Sequence, residues 1–334
     1  MKQLLFVPLI LLFALLSATC FRADEKVLID DSTSALINNE AFQDTLMFTT
    51  HVYAEKEKEA LELDVYNYIG DAIEAPKPVL FFVHGGGFYT GTRKESDIDE
   101  YCRWFAEKGF VVVNISYRLY LKGQSFHCDQ PSAEKINAFR TAVSDLRSAT
   151  AFILETYGGT INEDQVFISG SSAGAEVVLH APFWDAKEMN LDKPNLFDDF
   201  KYAGVLAFAG AMVDTSLITK ENMLPMMMYH GTCDPLVPYG SAIHHFCPEN
   251  SVGGLPLHGS LSIYEQVKRL NGTVKLVATC GGKHGRAVAP IRESKDELLA
   301  FLQRCMQGEQ FQEKVVIEGS LANCKYGKEW SCEE

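Results

Sequence analysis

The chain has 334 residues, 47% of them apolar, enough to bury a sizeable core in one α/β unit. Its formal net charge is -14, from 30 Lys and Arg against 44 Asp and Glu, and no basic patch stands out. Nucleic acid is thereby set aside as a partner, while the acidic balance favours solubility and names no substrate.

Residues 1–20 read as a signal peptide. Lys2 supplies a short charged start, Leu4 to Leu16 is an almost continuous apolar run, and Ser17-Ala18-Thr19-Cys20 supplies the small residues of a cleavage region. The run is short for a membrane span. Two other readings stay open: a retained anchor, and a lipoprotein signal with Cys20 acylated, although Thr19 stands where Gly, Ala or Ser is usual. All three place the chain outside the cytoplasm, secreted, periplasmic or at the cell surface. Contact with a membrane is expected only if Cys20 is lipidated.

Residues 24–310 read as the main folded unit, beginning with a loose polar lead-in. Thr49–Tyr53 and Ala60–Tyr68 alternate as half-exposed antiparallel strands, joined at Lys56-Glu57-Lys58-Glu59 by a solvated turn. After a Pro-containing loop, Val79–Val83 is a buried strand that runs into His84-Gly85-Gly86-Gly87-Phe88. Ile98–Lys108 is a helix ended by Gly109, and Phe110–Ile115 is the next strand. A long helix from about Ser132 to Tyr157 follows, with Ile136, Phe139, Val143, Leu146 and Ile153 at helical spacing.

The strand Gln165–Ser169 then meets Gly170-Ser171-Ser172-Ala173-Gly174, followed by a helix to His180. Strand, tight turn, helix is the context of a nucleophile elbow. Residues 182–200 read as a linker able to form a small lid. Tyr202–Ala209 and Met226–His230 are further strands, the second leading to Asp234-Pro235. Gly240–Phe246 reads as a short helix, Pro248–Ser260 as a Gly/Pro-rich loop and Leu261–Leu270 as a helix. Thr273–Thr279 is expected to be the last strand, running into Gly281-Gly282-Lys283-His284-Gly285. Ile291–Met306 is a closing amphipathic helix, and residues 311–334 read as a C-terminal tail with two cysteines.

The alternation of strands and helices predicts an α/β fold: a mostly parallel central sheet with helices on both faces. Ligands bind such sheets outside the strands' carboxyl ends. His84, Ser172, Asp234 and His284 all fall at such ends.

A serine hydroxyl is a poor nucleophile until a base takes its proton, and the base needs a carboxylate to fix its tautomer. Ser172 is the candidate nucleophile, His284 the base and Asp234 the acid that orients it. The consecutive glycines after the first buried strand leave main-chain amides uncovered. With the amide after the serine they offer an oxyanion hole from Gly85, Gly86 and Ala173. No C-x-x-C pair occurs, and no spaced acidic or cysteine partners make a metal site with the histidines.

These four motifs, His84-Gly85-Gly86-Gly87, Gly170–Gly174, Asp234–Pro238 and Gly282–Gly285, resemble an α/β-hydrolase of the carboxylesterase and lipase group. The resemblance runs from about residue 60 to 306 and is nearest to esterases with an HGGG loop, including the feruloyl and acetyl esterase-like branch. It implies the α/β-hydrolase fold and serine hydrolysis of carboxylic esters, without metal or cofactor; an acyl-enzyme is expected, with short-chain or aromatic acyl groups because the sequence has no long apolar lid. The partner is then a small-molecule ester. Ser171 before the nucleophile, and Tyr120-Leu121-Lys122 after Tyr117-Arg118-Leu119, depart from the hormone-sensitive-lipase pattern. A lipase, a serine peptidase of the same fold and a non-catalytic binding module remain as alternatives. Oligomeric state is not legible.

Rivals exist for each role. Ser171 neighbours the nucleophile, and Asp214 is an alternative acid. His230 reads as a structural hydrogen-bonding group, and His244-His245 as solvated or core histidines. Tyr117-Arg118 reads as support for the first loop. Asn114 and Asn271 begin glycosylation sequons, the first inside a buried strand. Of the nine cysteines, loss of Cys20 leaves an even eight, which suggests disulfides in an exported chain. Connectivity is open. Cys324 and Cys332 are close enough to close a loop in the tail, and Cys233 and Cys280 each follow a strand.

Overall fold

Runs rich in Val, Ile and Phe form the strands, and apolar residues at helical spacing form the covering helices. The computed structural model describes residues 45–69, 75–185, 187, 200–327, 330 and 332. The signal segment, nearly all the lead-in and most of the stretch read as a lid lie outside these residues.

In chain order the first elements are β1 (Thr45–Lys56), β2 (Glu59–Ile69), β3 (Lys77–Val83), α1 (Ser96–Glu107), β4 (Val111–Ile115), α2 (Ser132–Tyr157), β5 (Ile161–Ser171), α3 (Ala173–His180) and β6 (Gly204–Phe208). Then come β7 (Ala211–Met212), β8 (Met226–Gly231), β9 (Ser241–Ile243), β10 (Pro256–Gly259), α4 (Ser260–Arg269), β11 (Val274–Thr279), α5 (Ala289–Glu293), α6 (Lys295–Met306) and β12 (Gln312–Ile317). Nine strands form one sheet in the order β1-β2-β4-β3-β5-β6-β8-β11-β12. β1 and β2 join antiparallel, and every pair from β4 to β12 is parallel. This is the α/β-hydrolase architecture that the motifs imply.

The central strands are apolar on both faces because both faces are covered. In β3, Val79, Phe81 and Val83 pack into the core beneath α2 and α3, while Leu80 and Phe82 pack beneath α1 and α6. β8 divides the same way, with Met226 and Met228 on one side and Met227 and Tyr229 on the other. β1 is the half-exposed edge strand that the alternation predicts, whereas β2 is not at the edge: it pairs with β1 on one side and β4 on the other, and Leu61, Leu63, Val65 and Tyr66 are buried.

Three other readings change. The stretch from 311 is not only a tail, because β12 pairs in parallel with β11 from Val274–Gln312 to Thr279–Ile317 and ends the sheet. Residues 240–246 are not an α-helix. β9 pairs with β10, and β10 pairs with β7, in a separate three-stranded sheet, and His245 takes φ 59°. The short segment has no helical apolar face, and pairing with β10 satisfies its backbone instead. The closing helix is two helices, broken at Ser294 (φ -124°, ψ 20°).

Three disulfides form: Cys128–Cys247, Cys233–Cys324 and Cys280–Cys332. Cys324 and Cys332 therefore do not pair with each other; each ties the C-terminal segment back to a strand end. Cys102 and Cys305 are free thiols. Asn114 is fully buried in β4, donating to the carbonyl of Arg93, so the folded chain closes that sequon to a glycan.

Candidate active site

Ser172 stands between β5 and α3 with φ 53° and ψ -121°, a left-handed conformation rare for a side-chain-bearing residue. The strain is held by neighbours too small to be replaced. A Cβ on Gly174 would lie 2.0 Å from the Val83 carbonyl oxygen, so only glycine lets the helix start this close to β3. The Ser172 amide donates to the Phe208 carbonyl at 2.8 Å, which fixes the turn against β6.

The Ser172 Oγ lies 2.8 Å from His284 Nε2. On the other side of that ring, Nδ1 lies 2.6 Å from Asp234 Oδ2. A carboxylate only accepts, so Nδ1 carries the proton and Nε2 is left to accept from the serine hydroxyl. Asp234 is fully buried, at the end of β8, and its Oδ1 accepts from the amides of Leu236 (2.9 Å) and Val237 (3.1 Å). Burial alone would raise its carboxyl. The two imidazoles beside it, His230 close by and His284 through its hydrogen bond, outweigh that and hold it well below the usual carboxylate range.

Asp234 has a second imidazole neighbour. His230 Nε2 is 3.5 Å from Oδ2, and its Nδ1 is 2.8 Å from Ser260 Oγ. This inner Ser260–His230–Asp234 chain has the composition of a triad, but Ser260 and His230 are buried. Only Ser172 and His284 of the two chains line the cavity. His230 Nε2 also donates to the Val237 carbonyl at 3.1 Å, which leaves Nδ1 to accept from Ser260.

The loop after β3 lies over Ser172. A Cβ on Gly85 would stand 3.2 Å from Ser172 Cβ, and Gly86 adopts φ 119°. Among the described residues no backbone bond engages the amides of Gly85 or Gly86. Ala173 opens α3, so its amide has no intrahelical acceptor. His84 holds the loop's shape. Its Nδ1 donates to the Gly85 carbonyl at 2.7 Å, its ring stacks on Tyr117 at 4.5 Å, and Tyr117 donates to the His84 carbonyl at 3.0 Å. Burial lowers its pKa to about 4, so it stays neutral. Arg93, paired with Asp64 at 2.9 Å, anchors the segment that follows.

The rivals hold other hydrogen bonds. Ser171 donates to the Ala287 carbonyl at 2.8 Å, and exposed Asp214 caps a short turn through the Ser216 amide. Arg118 grips Asp145 through several bonds away from the site.

A cavity of about 540 Å³ opens on Ser172 and His284. One wall was not legible as part of the site: Phe126, His127, His244 and His245, with Glu176 from α3. The Cys128–Cys247 disulfide staples together the two loops that carry the four ring residues. Sequence separation hid this, because the two cysteines are 119 residues apart.

The BD-FAE family model matches residues 63–216. Gut esterase 1 of Caenorhabditis elegans is 33% identical over 104 residues, which is 30% of this chain and 17% of that protein. This chain thus matches less than a fifth of the length of that relative. Among solved structures, Thermogutta terrifontis esterase 2 phosphorylated by paraoxon superposes with a TM-score of 0.53 at 19% identity, covering 76% of this chain and 93% of the other. The propionate-bound form of that esterase gives 0.52 at 17% identity, covering 80% and 94%. At these identities the structural likeness speaks for the fold.

Proposed function

We propose that this chain, an α/β-hydrolase by fold and related to the BD-FAE esterase branch, is a serine carboxylesterase acting on short-chain or aromatic esters through an acyl-enzyme. The observation that carries the reading is the Ser172–His284–Asp234 hydrogen-bond chain, opening on a cavity beneath the Gly85-Gly86 loop. Ser172 Oγ attacks the ester carbonyl carbon while His284 Nε2 takes the hydroxyl proton. The carbonyl oxygen becomes an oxyanion facing the amides of Gly85, Gly86 and Ala173. The C–O bond to the alcohol then breaks, and His284 gives its proton to the leaving oxygen. Water, deprotonated by His284, cleaves the acyl-serine and restores the hydroxyl. Asp234 stays ionised throughout and holds the imidazole tautomer.

A cavity of this volume suits a small ester. The names of the similar proteins support the same reaction class. The proposal extends to an exported chain: the three disulfides among the described residues are the chemistry of an oxidising compartment. Hydrolysis of p-nitrophenyl esters from acetate upward and of methyl ferulate tests the reading. Turnover that favours acetate to butyrate or the ferulate supports it. A folded chain that cleaves none of them overturns it.

A further inference from the structure

We propose that Glu176 and His244 form a hydroxyl-binding subsite in the wall of the cavity beside Ser172, and that the preferred ester carries a neutral hydroxyl that bridges the pair from the cavity side. The inference rests on the serine-hydrolase reading and deepens it by naming a feature of the substrate.

Glu176 sits one helical turn beyond the nucleophile, its amide bonded to the Ser172 carbonyl at 3.0 Å. Its side chain is about 2% exposed and lines the cavity, as does that of His244 at 1%. The two meet at 3.4 Å, Oε1 to Nε2, without a hydrogen bond. Glu176 Oε1 and both ring nitrogens of His244 have no hydrogen-bond partner among the described residues. Buried polar groups left unmade are rare, and a cluster of three in a substrate cavity asks for a ligand.

The chemistry of the cluster selects that ligand. Burial pushes the Glu176 carboxyl well above the usual range, reinforced by the nearby Asp234 charge and opposed by Lys135. Burial, with Lys135 and His245 adding to it, pushes the His244 imidazole well below its ordinary value. Both shifts favour the neutral forms, in which each group is a donor and an acceptor. A carboxylate or an ammonium would lose its hydration in this buried wall, a cost that a hydroxyl largely avoids. A hydroxyl gives one hydrogen and accepts another, and so meets both partners. The Phe126 ring, 5.0 Å from the His244 ring, supplies the apolar flank for a carbon ring bearing that hydroxyl.

The hydroxyl can belong to the acyl half or to the alcohol half, and matched esters separate them. Methyl cinnamate against methyl 4-hydroxycinnamate probes the acyl side. Cyclohexyl acetate against 2-hydroxycyclohexyl acetate probes the alcohol side. The expected result is a preference of roughly tenfold in kcat/KM for the hydroxylated member of one pair. That ratio should collapse toward one in Glu176→Leu and in His244→Phe, mostly through KM. It should largely survive in Glu176→Gln, which keeps a neutral donor and acceptor. Hydrolysis of both pairs without preference would overturn the subsite and leave the serine hydrolase standing. A preference that persists in Glu176→Leu and His244→Phe would overturn it as well. No hydrolysis of any member would sink both readings. Should the larger replacements fail to fold, the parent ratios and Glu176→Gln still decide.

Discussion

His230 lies 3.5 Å from the same Asp234 oxygen that bonds His284, so one buried carboxylate faces two imidazoles. The two rings are not equivalent. His284 presents Nε2 to an accessible serine, whereas His230 spends its nitrogens on the Val237 carbonyl and Ser260. His230 thus positions the acid loop. His230→Leu should cost about 2–4 kcal/mol of stability, because it leaves Ser260 and the Val237 carbonyl unpaired. Urea unfolding measures that loss. The folded variant should still turn over at least a hundredfold faster than His284→Ala.

Gly174→Ala tests the packing that strains the nucleophile. The added methyl meets the Val83 carbonyl oxygen at 2.0 Å, and backbone on both sides cannot yield. The expected loss is at least about 3 kcal/mol, read as a fall in Tm or as failure to recover soluble protein. A variant as stable as the parent would contradict this tight approach of α3 to β3.

The C-terminal segment is stapled to both halves of the acid–base pair. Cys233 directly precedes Asp234, and Cys280 opens the loop that ends at His284. Cys324→Ser or Cys332→Ser should cost about 2–5 kcal/mol of stability. Each should also lower kcat, since a small displacement of the 2.6 Å Asp234–His284 bond disturbs the base. Cys128→Ser should instead act mainly on KM, because its disulfide shapes the cavity wall. Steady-state kinetics of the three variants separates the two effects.

Stability should fall on acidification. Burial lowers His84 and His180 to about 4 and pushes His244 well below its ordinary value, while the unfolded chain titrates them near 6.5. Their folded values are depressed, so their contribution is complete above about pH 6.5 and is lost as pH falls toward 4. Each contributes at most about 1.4 kcal/mol per pH unit in that window. Asp234, also depressed, adds its loss only below the ordinary carboxylate range. Glu176 is raised and works the other way: its contribution is complete below about pH 4 and is lost as pH rises. Three histidines outweigh one glutamate, so Tm should drop between pH 7 and 4.5. A flat or rising Tm would contradict the buried, neutral imidazoles.

The residues with strong local chemistry were legible in the sequence. Glycines around Ser172, a proline after Asp234 and glycines beside His284 mark turns at strand ends, and the parallel sheet carries those ends to one edge. The cavity wall was not legible. Phe126 and His244 lie on two loops that the Cys128–Cys247 disulfide joins, and pairing is a property of the folded chain. β12 was missed for a related reason: Gln312–Ile317 is short and half polar, as an edge strand can be, and its strand character comes from pairing with β11.

The most direct measurement compares Ser172→Ala with Ser260→Ala on p-nitrophenyl acetate, since both serines end a histidine chain on Asp234. Ser172→Ala should lose at least about a thousandfold in kcat, and Ser260→Ala should keep most of the parent rate. Activity that survives in Ser172→Ala and disappears in a folded Ser260→Ala would place the nucleophile on the inner chain and contradict the account.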